Sequence, residues 1–263
     1  MARRWYRLAG LAAALMVSSA AFGKVPLAST APLAGARGLG VHIYDHCPYC
    51  TRVELVLGWH GWQPKRLVYG YADVAGPTAL IGKKMLPVLT WHDSEGQEQK
   101  MCESKDIIEA VEVTAESTTG GRLIMRRTGR KDLKAWQTRL RRVMHGLTRP
   151  RLLQMPIKDF AREEDRKYQM DKYTAKGFSY ERALADTEKL VPKVNTLLLE
   201  FEELLRSDKA LNAFGHSWDD LYVLPSLRVL TCVKALAWPA KVRAYVEKNH
   251  ADAGLACYFE HAC

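Results

Sequence analysis

The sequence predicts an α/β domain followed by an all-α domain. Short β-prone runs alternate with helical patterns up to about residue 113, whereas only helical periodicity recurs beyond residue 128. A segment rich in Ser, Thr and Gly lies between the two parts. The chain has 263 residues, 48% of them hydrophobic and 26% charged, a composition that excludes a disordered or a fibrous protein. The predicted divisions are an extension (1–40), an α/β domain (41–116), a linker (117–127), an all-α domain (128–250) and a tail (251–263).

Residues 1–40 are predicted to form a targeting extension outside the fold. They contain no acidic residue, and Arg3, Arg4 and Arg7 precede an apolar run from Leu8 to Phe22. This pattern fits a secretory signal, and Arg and Ser without acids also fit an organellar transit peptide. The apolar run is shorter than the about 20 residues that a membrane span needs, so no stable span is expected in the mature chain. We expect targeting to an organelle or to the secretory route, with a cytoplasmic location as the alternative.

The body of the chain begins with a strand and a helix that meet at Cys47. Residues 41–44 alternate in a β-prone run, and helical spacing begins at Tyr49. Pro48 suits the first helical position, where its missing N–H costs nothing. Free N–H groups and the helix dipole would then face the sulfur of Cys47 and favour its thiolate. We therefore expect the Cys47 thiolate to attack a disulfide. Cys50, one turn into the helix, is expected to resolve the mixed disulfide that forms.

Two other interpretations of the cysteine pair are less consistent with the sequence. A structural disulfide across two residues closes a very small loop and removes little chain entropy. A zinc site needs a second ligand pair, and the remaining cluster of Cys257, His261 and Cys263 lacks metal-like spacing. A Cys-x-x-Cys beside a β-α pattern favours redox chemistry, and no metal is expected.

The rest of the α/β domain is predicted from alternation and turn residues. Pro87 stands at the start of a strand, a position where a cis bond is plausible. Glu103 and Ser104 open a helix, where they can cap it and also bind a ligand's ammonium or carboxylate group. The predicted strands cover 65–69, 85–89 and 98–101, and a weak helix covers 72–81.

Beyond the linker the pattern is helical. Leu133 to Met144 recur at helical spacing, and Pro150 is predicted to end that helix. Ser217-x-x-Asp220 has the spacing of a capping box ahead of a buried helix. The further predicted helices cover about 160–174, 180–206, 219–237 and 239–249.

Several motifs resemble those of the two-domain bacterial glutaredoxins, which share the architecture of glutathione transferases. Residues 41–113 resemble a thioredoxin-like glutaredoxin domain, and Cys-Pro-Tyr-Cys is characteristic of dithiol glutaredoxins. The resemblance implies a thioredoxin-like N-terminal domain, an all-α C-terminal domain and a cleft between them. The motifs that carry it are Tyr44-Asp45-His46-Cys47-Pro48-Tyr49-Cys50, Glu103-Ser104-x-Asp106-Ile107, Trp218-Asp219-Asp220, Leu224-Pro225-x-Leu227-Arg228 and Trp238-Pro239-x-x-Val242.

The resemblance also implies glutathione as co-substrate, with Cys47 as nucleophile and Cys50 as resolving thiol. This sequence departs from the family pattern at Cys102, where a proline is usual. The implied glutathione contacts are Tyr49 lining the groove, the backbone of Leu86 beside a cis-Pro87, Glu103 and Ser104 at the γ-glutamyl end, and Arg52 and Lys84 as candidates for the glycyl carboxylate.

The formal net charge of +10 comes from two segments. One is the extension, and the other is residues 122–151, where eleven basic residues stand against Asp132. This basic run lacks interleaved aromatics apart from Trp136 and matches no nucleic-acid-binding motif, so nucleic acid is not expected as a partner. In the transferase-like architecture the run would flank the cleft and attract an anionic tripeptide.

The expected function is a glutathione-dependent thiol-disulfide oxidoreductase, acting as a monomer on protein disulfides and glutathionylated proteins. One alternative is a cysteine-type glutathione transferase or dehydroascorbate reductase, although such enzymes commonly lack a cysteine at the position of Cys50. The other alternative is a non-enzymatic redox sensor or iron-sulfur carrier. Pro48 and the dithiol argue against an iron-sulfur cluster at Cys47.

Overall fold

The computed structural model describes residues 31–263. Its first part is a four-stranded sheet with three helices, and its second part is helical throughout. The α/β elements are β1 (Arg37–Ile43), α1 (Pro48–Trp59), β2 (Lys65–Val68), α2 (Ala75–Ile81), β3 (Val88–His92), β4 (Glu98–Cys102) and α3 (Ser104–Thr119). The helices that follow are α4 (Lys131–Leu152), α5 (Glu163–Thr174), α6 (Tyr180–Ala185), α7 (Thr187–Leu204), α8 (Trp218–Leu230) and α9 (Ala240–Asp252), with short 3-10 helices at Lys158–Phe160 and Phe259–His261.

The sheet has the strand order β2-β1-β3-β4. β1 runs parallel to β2 and antiparallel to β3, and β4 is antiparallel to β3. This mixed sheet, with α1 and α3 packed together, is the thioredoxin-like domain that the resemblance implied. The connection from β1 to α1 places Cys47 at the carboxyl end of a central strand.

The helical part encloses a second region of the core around Trp136, which is 1% exposed. Its indole N–H donates to the carbonyl oxygen of Leu197 at 2.7 Å, and its ring packs on Phe201. α8 and α9 both contact α1, so the helical domain covers this helix. Residues 50–57 of α1 are therefore buried throughout.

The first strand begins earlier than the sequence predicted. β1 starts at Arg37, so residues 37–40, which were assigned to the extension, lie in the sheet. Leu33 is 4% exposed, and its N–H donates to Thr114 Oγ1. The folded body therefore includes residues on the N-terminal side of the predicted boundary at 40. The apolar run at 8–22 lies outside the described residues.

Five predicted element bounds are corrected in the structure. α3 continues through Thr119 into the predicted linker, and Pro150 lies inside the last turn of α4, where little of the helix remains to be broken. The predicted helix over 180–206 is two helices that meet at Asp186. The one predicted over 219–237 ends at Leu230, and β3 begins only after Pro87.

None of the helices between residues 31 and 263 is both long enough and apolar enough to cross a membrane.

Candidate active site

Cys47 is the N-cap residue of α1, with extended backbone angles and Pro48 at the first helical position. The backbone N–H groups of Tyr49 and Cys50 favour the charged form of its sulfur and so lower its pKa, although the side chain makes no cap hydrogen bond. These donors are the helix N-terminal amides that the sequence placed against the thiol. The Cys47 side chain is partly exposed. It can therefore reach a substrate while its thiolate is held by the helix.

The pKa of Cys47 is lowered to about 7. The largest cause is the hydrogen bond from the Cys50 thiol, burial opposes it, and the charge of His46 adds to the lowering. Cys50 is fully buried, and burial together with the hydrogen bond to Cys47 raises its pKa well above the ordinary value. One thiol of the pair is thus prepared as nucleophile, and its neighbour stays protonated until the first step is complete.

Asp159 belongs to the helical domain and binds the loop that precedes Cys47 in the α/β domain. Its carboxylate accepts the backbone N–H groups of Asp45 and His46, each at 2.8 Å. It also lies 2.5 Å from Nδ1 of His46, whose ring packs against Phe160. Because Asp159 is fully buried, these bonds are shielded from water. The helical domain therefore holds both the backbone and the imidazole next to the nucleophile.

Asp45 forms a second connection between the domains. Arg228 of α8 donates to both carboxylate oxygens and to the backbone carbonyl of Asp45, and the Tyr258 hydroxyl donates to Oδ2 at 2.7 Å. Arg66 of β2 also pairs with Asp45. Burial raises the pKa of Asp45, but Arg228 and Arg66 outweigh burial and lower it to about 2.

Cys47 opens into a cleft of about 680 Å³ between the two domains. The predicted residues Cys47, Tyr49, Arg52, Lys84 and Leu86 line it. The Leu86–Pro87 bond is cis, as the resemblance implied. The cleft is thus formed by α1 and the segment before β3 on one side, and by α4, α5 and α8 on the other.

Glu103 and Ser104 are not among the residues that line this cleft. The register of β3 and β4 pairs Val88 with Cys102, which brings Glu103 beside Pro87. Glu103 has a φ of 70°, is exposed and makes no side-chain cap, whereas Ser104 is buried in the first turn of α3. The predicted capping role of the Glu103 side chain is therefore wrong, and its side chain is free for another contact.

Arg52 and Lys84 are held by neighbours of the cleft. Nε of Arg52 donates to the carbonyl oxygen of Leu221 at 3.0 Å, and its guanidinium lies between the rings of Tyr49 and Tyr222 at 5.0 and 4.4 Å. Lys84 is positioned in a similar way.

Nζ of Lys84 donates to the carbonyl oxygen of Tyr71 at 2.5 Å and lies 3.6 Å from the ring centroid of Tyr168. Both cations are thus fixed in place by hydrogen bonds and aromatic faces before any ligand is bound.

The sequence did not predict most of the wall that the helical domain contributes. Three of its residues, Arg141, His145 and Arg149, come from the basic run and repeat every four positions along α4. That spacing and the predicted place of the run beside the cleft are the signals that could have found them. The remaining residues of this wall belong to α4, α5 and α8 and carry no motif except Pro225, which stands in the Leu224-Pro225-x-Leu227-Arg228 motif: Met144, Thr148, Leu152, Tyr168, Gln169, Lys172, Tyr173, Tyr222, Pro225, Ser226 and Val229.

The other cysteines lie away from the lining of the cleft. Cys102 is partly buried at the end of β4, and burial raises its pKa. Cys232 is buried, whereas Cys263 is exposed. Across the described range, no three His, Cys, Asp or Glu side chains converge as metal ligands would, which includes the cluster at Cys257, His261 and Cys263.

A thioredoxin-like domain whose dithiol faces an all-α domain across one cleft defines a two-domain protein of the glutathione-transferase-like architecture. Family comparisons agree with this class in both halves. Residues 41–119 match the N-terminal domain of glutathione S-transferases, and residues 132–262 match the C-terminal domain of glutaredoxin 2. The chain belongs to the glutaredoxin 2 family.

Individual relatives show how far the similarity extends. Glutaredoxin 2 of Escherichia coli strain K12 is 28% identical over 207 residues, which cover 78% of this chain and 91% of that protein. Glutaredoxin 2 of Salmonella typhimurium, solved in complex with glutathione, is 26% identical with a TM-score of 0.77, covering 86% of this chain and all of that one. A glutathione transferase of Phanerochaete chrysosporium shares the fold at 14% identity, with a TM-score of 0.58 over 84% of this chain and 99% of its own.

Proposed function

We propose that this protein is a glutathione-dependent thiol-disulfide oxidoreductase that reduces protein disulfides and glutathione mixed disulfides at Cys47 and Cys50. The observation that carries the proposal is the asymmetry of the two thiols. Cys47 is partly exposed with a pKa of about 7, whereas Cys50 is buried with a raised pKa. Membership of the glutaredoxin 2 family supports this assignment.

In the dithiol route, the Cys47 thiolate attacks one sulfur of a protein disulfide. The substrate's other sulfur leaves with the electron pair and takes a proton, and a mixed disulfide with Cys47 remains. Cys50 then loses its proton and attacks the Cys47 sulfur, which releases the second substrate thiol. Two glutathione molecules finally reduce the Cys47–Cys50 bond and leave as glutathione disulfide.

We propose that glutathione binds along the wall formed by the cis-Pro segment and α1. The backbone of Leu86 beside Pro87 would pair with its cysteinyl unit, and Glu103 and Ser104 would hold the γ-glutamyl end. The register that brings Glu103 beside Pro87 supports this arrangement. The glutathione complex of the Salmonella typhimurium relative supports glutathione as the ligand class.

Tyr49, Arg52 and Lys84 would complete the glutathione site. Arg52 and Lys84 are the candidates for the glycyl carboxylate, since both are preformed cations on the cleft wall. Because Arg52 is 9% exposed, we expect Lys84 to be the more accessible of the two.

The test compares Cys47→Ser and Cys50→Ser on two substrates. With a glutathionylated peptide, Cys47→Ser should be inactive and Cys50→Ser active, because deglutathionylation needs one thiol. With a protein disulfide, both variants should lose activity. Full activity of Cys47→Ser on the glutathionylated peptide would refute the proposal. A preference for dehydroascorbate over both disulfides would favour the cysteine-type transferase alternative instead.

We also propose that the N-terminal extension targets the protein to an organelle or to the secretory route. Leu33 packs in the core and β1 begins at Arg37, so a cleavage that preserves the fold has to fall before Leu33. We expect a mature N-terminus between about residues 22 and 32 when the native protein is sequenced by mass spectrometry. An intact Met1 in the native protein would favour the cytoplasmic alternative, and size-exclusion chromatography of the same sample would test the predicted monomer.

A further inference from the structure

The wall of the cleft that belongs to the helical domain carries positive charge. Arg141, Arg149 and Lys172, here called the basic wall, all line the cleft. No Asp or Glu between residues 31 and 263 lines it. Within the same range none of the three forms an ion pair, unlike Arg139 on the outer face of α4, which pairs with Glu200. A concave surface of one sign attracts an oppositely charged ligand more strongly than a flat one.

The basic wall is held in position by neighbouring side chains. The guanidinium of Arg149 lies 3.9 Å from the ring centroid of Tyr173, and Nζ of Lys172 donates to the Tyr71 hydroxyl at 2.7 Å. Neither contact neutralises the positive charge. These two cations are therefore ordered but uncompensated, which is the arrangement expected for a preformed anion-binding surface.

Two buried polar atoms in the same cleft have no hydrogen-bond partner among the described residues. They are the hydroxyl of Tyr44, which is 6% exposed, and Oε1 of Gln169, which is 2% exposed. Both residues line the cleft. Buried polar atoms are nearly always partnered, so an unpartnered donor and acceptor in one cleft indicate a ligand that brings both. A peptide unit offers one carbonyl acceptor and one N–H donor.

We propose that the basic wall, with Tyr44 and Gln169, binds an acidic polypeptide segment that flanks the disulfide-bonded or glutathionylated cysteine of the protein substrate. This inference rests on the proposed function and names the substrate class of the same site. The cations would meet Asp or Glu side chains of the substrate, and the two polar atoms would meet its main chain.

The chemistry of deglutathionylation assigns the two walls to the two halves of the substrate. The Cys47 thiolate attacks the glutathione sulfur, the bond to the substrate cysteine breaks, and the substrate sulfur leaves with the electron pair and takes a proton from water. Glutathione therefore remains on Cys47, beside the wall formed by the cis-Pro segment and α1. A second glutathione thiolate attacks that glutathione sulfur, which forms glutathione disulfide and restores the Cys47 thiolate. The leaving polypeptide occupies the other wall, formed by α4 and α5.

The experiment uses two glutathionylated peptides that differ only in their flanking residues, three acidic in one and three Lys in the other. At low ionic strength the wild-type protein should show about tenfold higher kcat/KM for the acidic peptide, and added salt should reduce this preference. Arg141→Glu should lower the preference to about twofold or less. Arg142→Glu is the matched control. This substitution makes the same change in net charge, but Arg142 lines a shallow surface on the outer face of α4. It should retain most of the preference.

A second variant tests the polar atoms independently of charge. Tyr44→Phe removes only a hydroxyl, and it should raise KM for both peptides alike by about fivefold, the loss expected for one hydrogen bond. Its melting temperature should stay close to that of the wild type, since no described residue loses a partner. An unchanged KM would show that the hydroxyl meets no peptide and would overturn that part of the proposal.

Three outcomes would overturn the basic wall as a docking site. They are equal rates on the two peptides, an equal loss of preference in Arg142→Glu and Arg141→Glu, and inhibition by a short oligonucleotide at concentrations below those at which the acidic peptide saturates. The mixed disulfide of glutathione and 2-mercaptoethanol, which carries no peptide, is assayed in parallel. Turnover of this compound without a peptide preference would overturn the inference and leave the proposed function standing, whereas no turnover would overturn both.

Discussion

At the scale of single residues, the reactivity of Cys47 depends on its bond to Cys50. The hydrogen bond from the Cys50 thiol is the largest cause of the lowered pKa of Cys47, ahead of the charge of His46. Cys50→Ala should therefore raise the pKa of Cys47 above about 7. The measurement is the rate of iodoacetamide alkylation against pH, whose midpoint should move upward. Cys50→Ser keeps a donor at the same place and should move the midpoint less than Cys50→Ala does.

His46 supplies a smaller contribution to the same pKa. His46→Phe keeps an aromatic ring against Phe160 and removes the charge next to the sulfur. The alkylation midpoint of Cys47 should rise, but by less than in Cys50→Ala. His92→Phe, at the far end of β3, is the control and should leave the midpoint in place. A larger rise in His46→Phe than in Cys50→Ala would contradict this order of causes.

The site residues that the sequence pattern revealed without the family resemblance are those whose role is local. Cys47 and Pro48 are recognisable because a helix N-terminus follows directly in the chain. Asp159 was not predicted, since its partners are backbone N–H groups more than a hundred positions away and carry no sequence signal. Tyr44 and Gln169 were missed for a related reason, because an unpartnered polar atom is visible only once its surroundings are known.

At the scale of elements, α8 shows how a local motif supports a buried helix. Ser217 and Asp220 form the predicted capping box, and both side chains are fully buried. Asp220 also accepts the N–H of Leu211 and the hydroxyl of Tyr245. The motif therefore connects the start of α8 to the preceding loop and to α9.

Loss of the Ser217 hydroxyl should destabilise the protein measurably. Ser217→Ala removes the cap of α8 and a hydrogen bond to the carboxylate of Asp220, so the free energy of unfolding should fall by about 2 kcal/mol. Urea denaturation followed by circular dichroism measures this change. Thr138→Ala on the exposed face of α4 is the control and should change the free energy by no more than about 0.5 kcal/mol. Equal effects of the two substitutions would contradict a structural role for the box.

Elements with a clear apolar pattern were predicted more accurately than elements without one. β1, β3 and α1 follow alternation or apolar helical spacing, and their predicted cores are buried. α5 carries Asp165 and Gln169 as its buried residues, so an apolar pattern could not reveal which face it turns toward the cleft. The break at Asp186 was missed because the apolar pattern continues from α6 into α7.

At the scale of the whole molecule, the two domains are joined at the loop that carries the nucleophile. Asp159 and Arg228 both reach from the helical domain to the residues just before Cys47. The α/β domain on its own would leave the backbone N–H groups of Asp45 and His46 and the carboxylate of Asp45 without these partners. The position of the active-site loop is therefore a property of the assembled molecule.

This connection predicts a specific dependence of stability on pH. The folded protein lowers the pKa of Asp45 from 3.8 to about 2, so Asp45 binds its proton more weakly in the folded state than in the unfolded chain. Its contribution is present above about pH 4 and is lost as the pH falls from about 4 to about 2, which lowers the free energy of unfolding by about 2 kcal/mol. Asp45→Asn should be less stable at neutral pH, and its stability should fall less steeply over this range. Asp208→Asn, which removes an exposed carboxylate, is the control and should keep the wild-type slope. Urea denaturation at a series of pH values compares the three proteins, and a slope in Asp45→Asn equal to that of the wild type would show that Asp45 does not link the domains in this way.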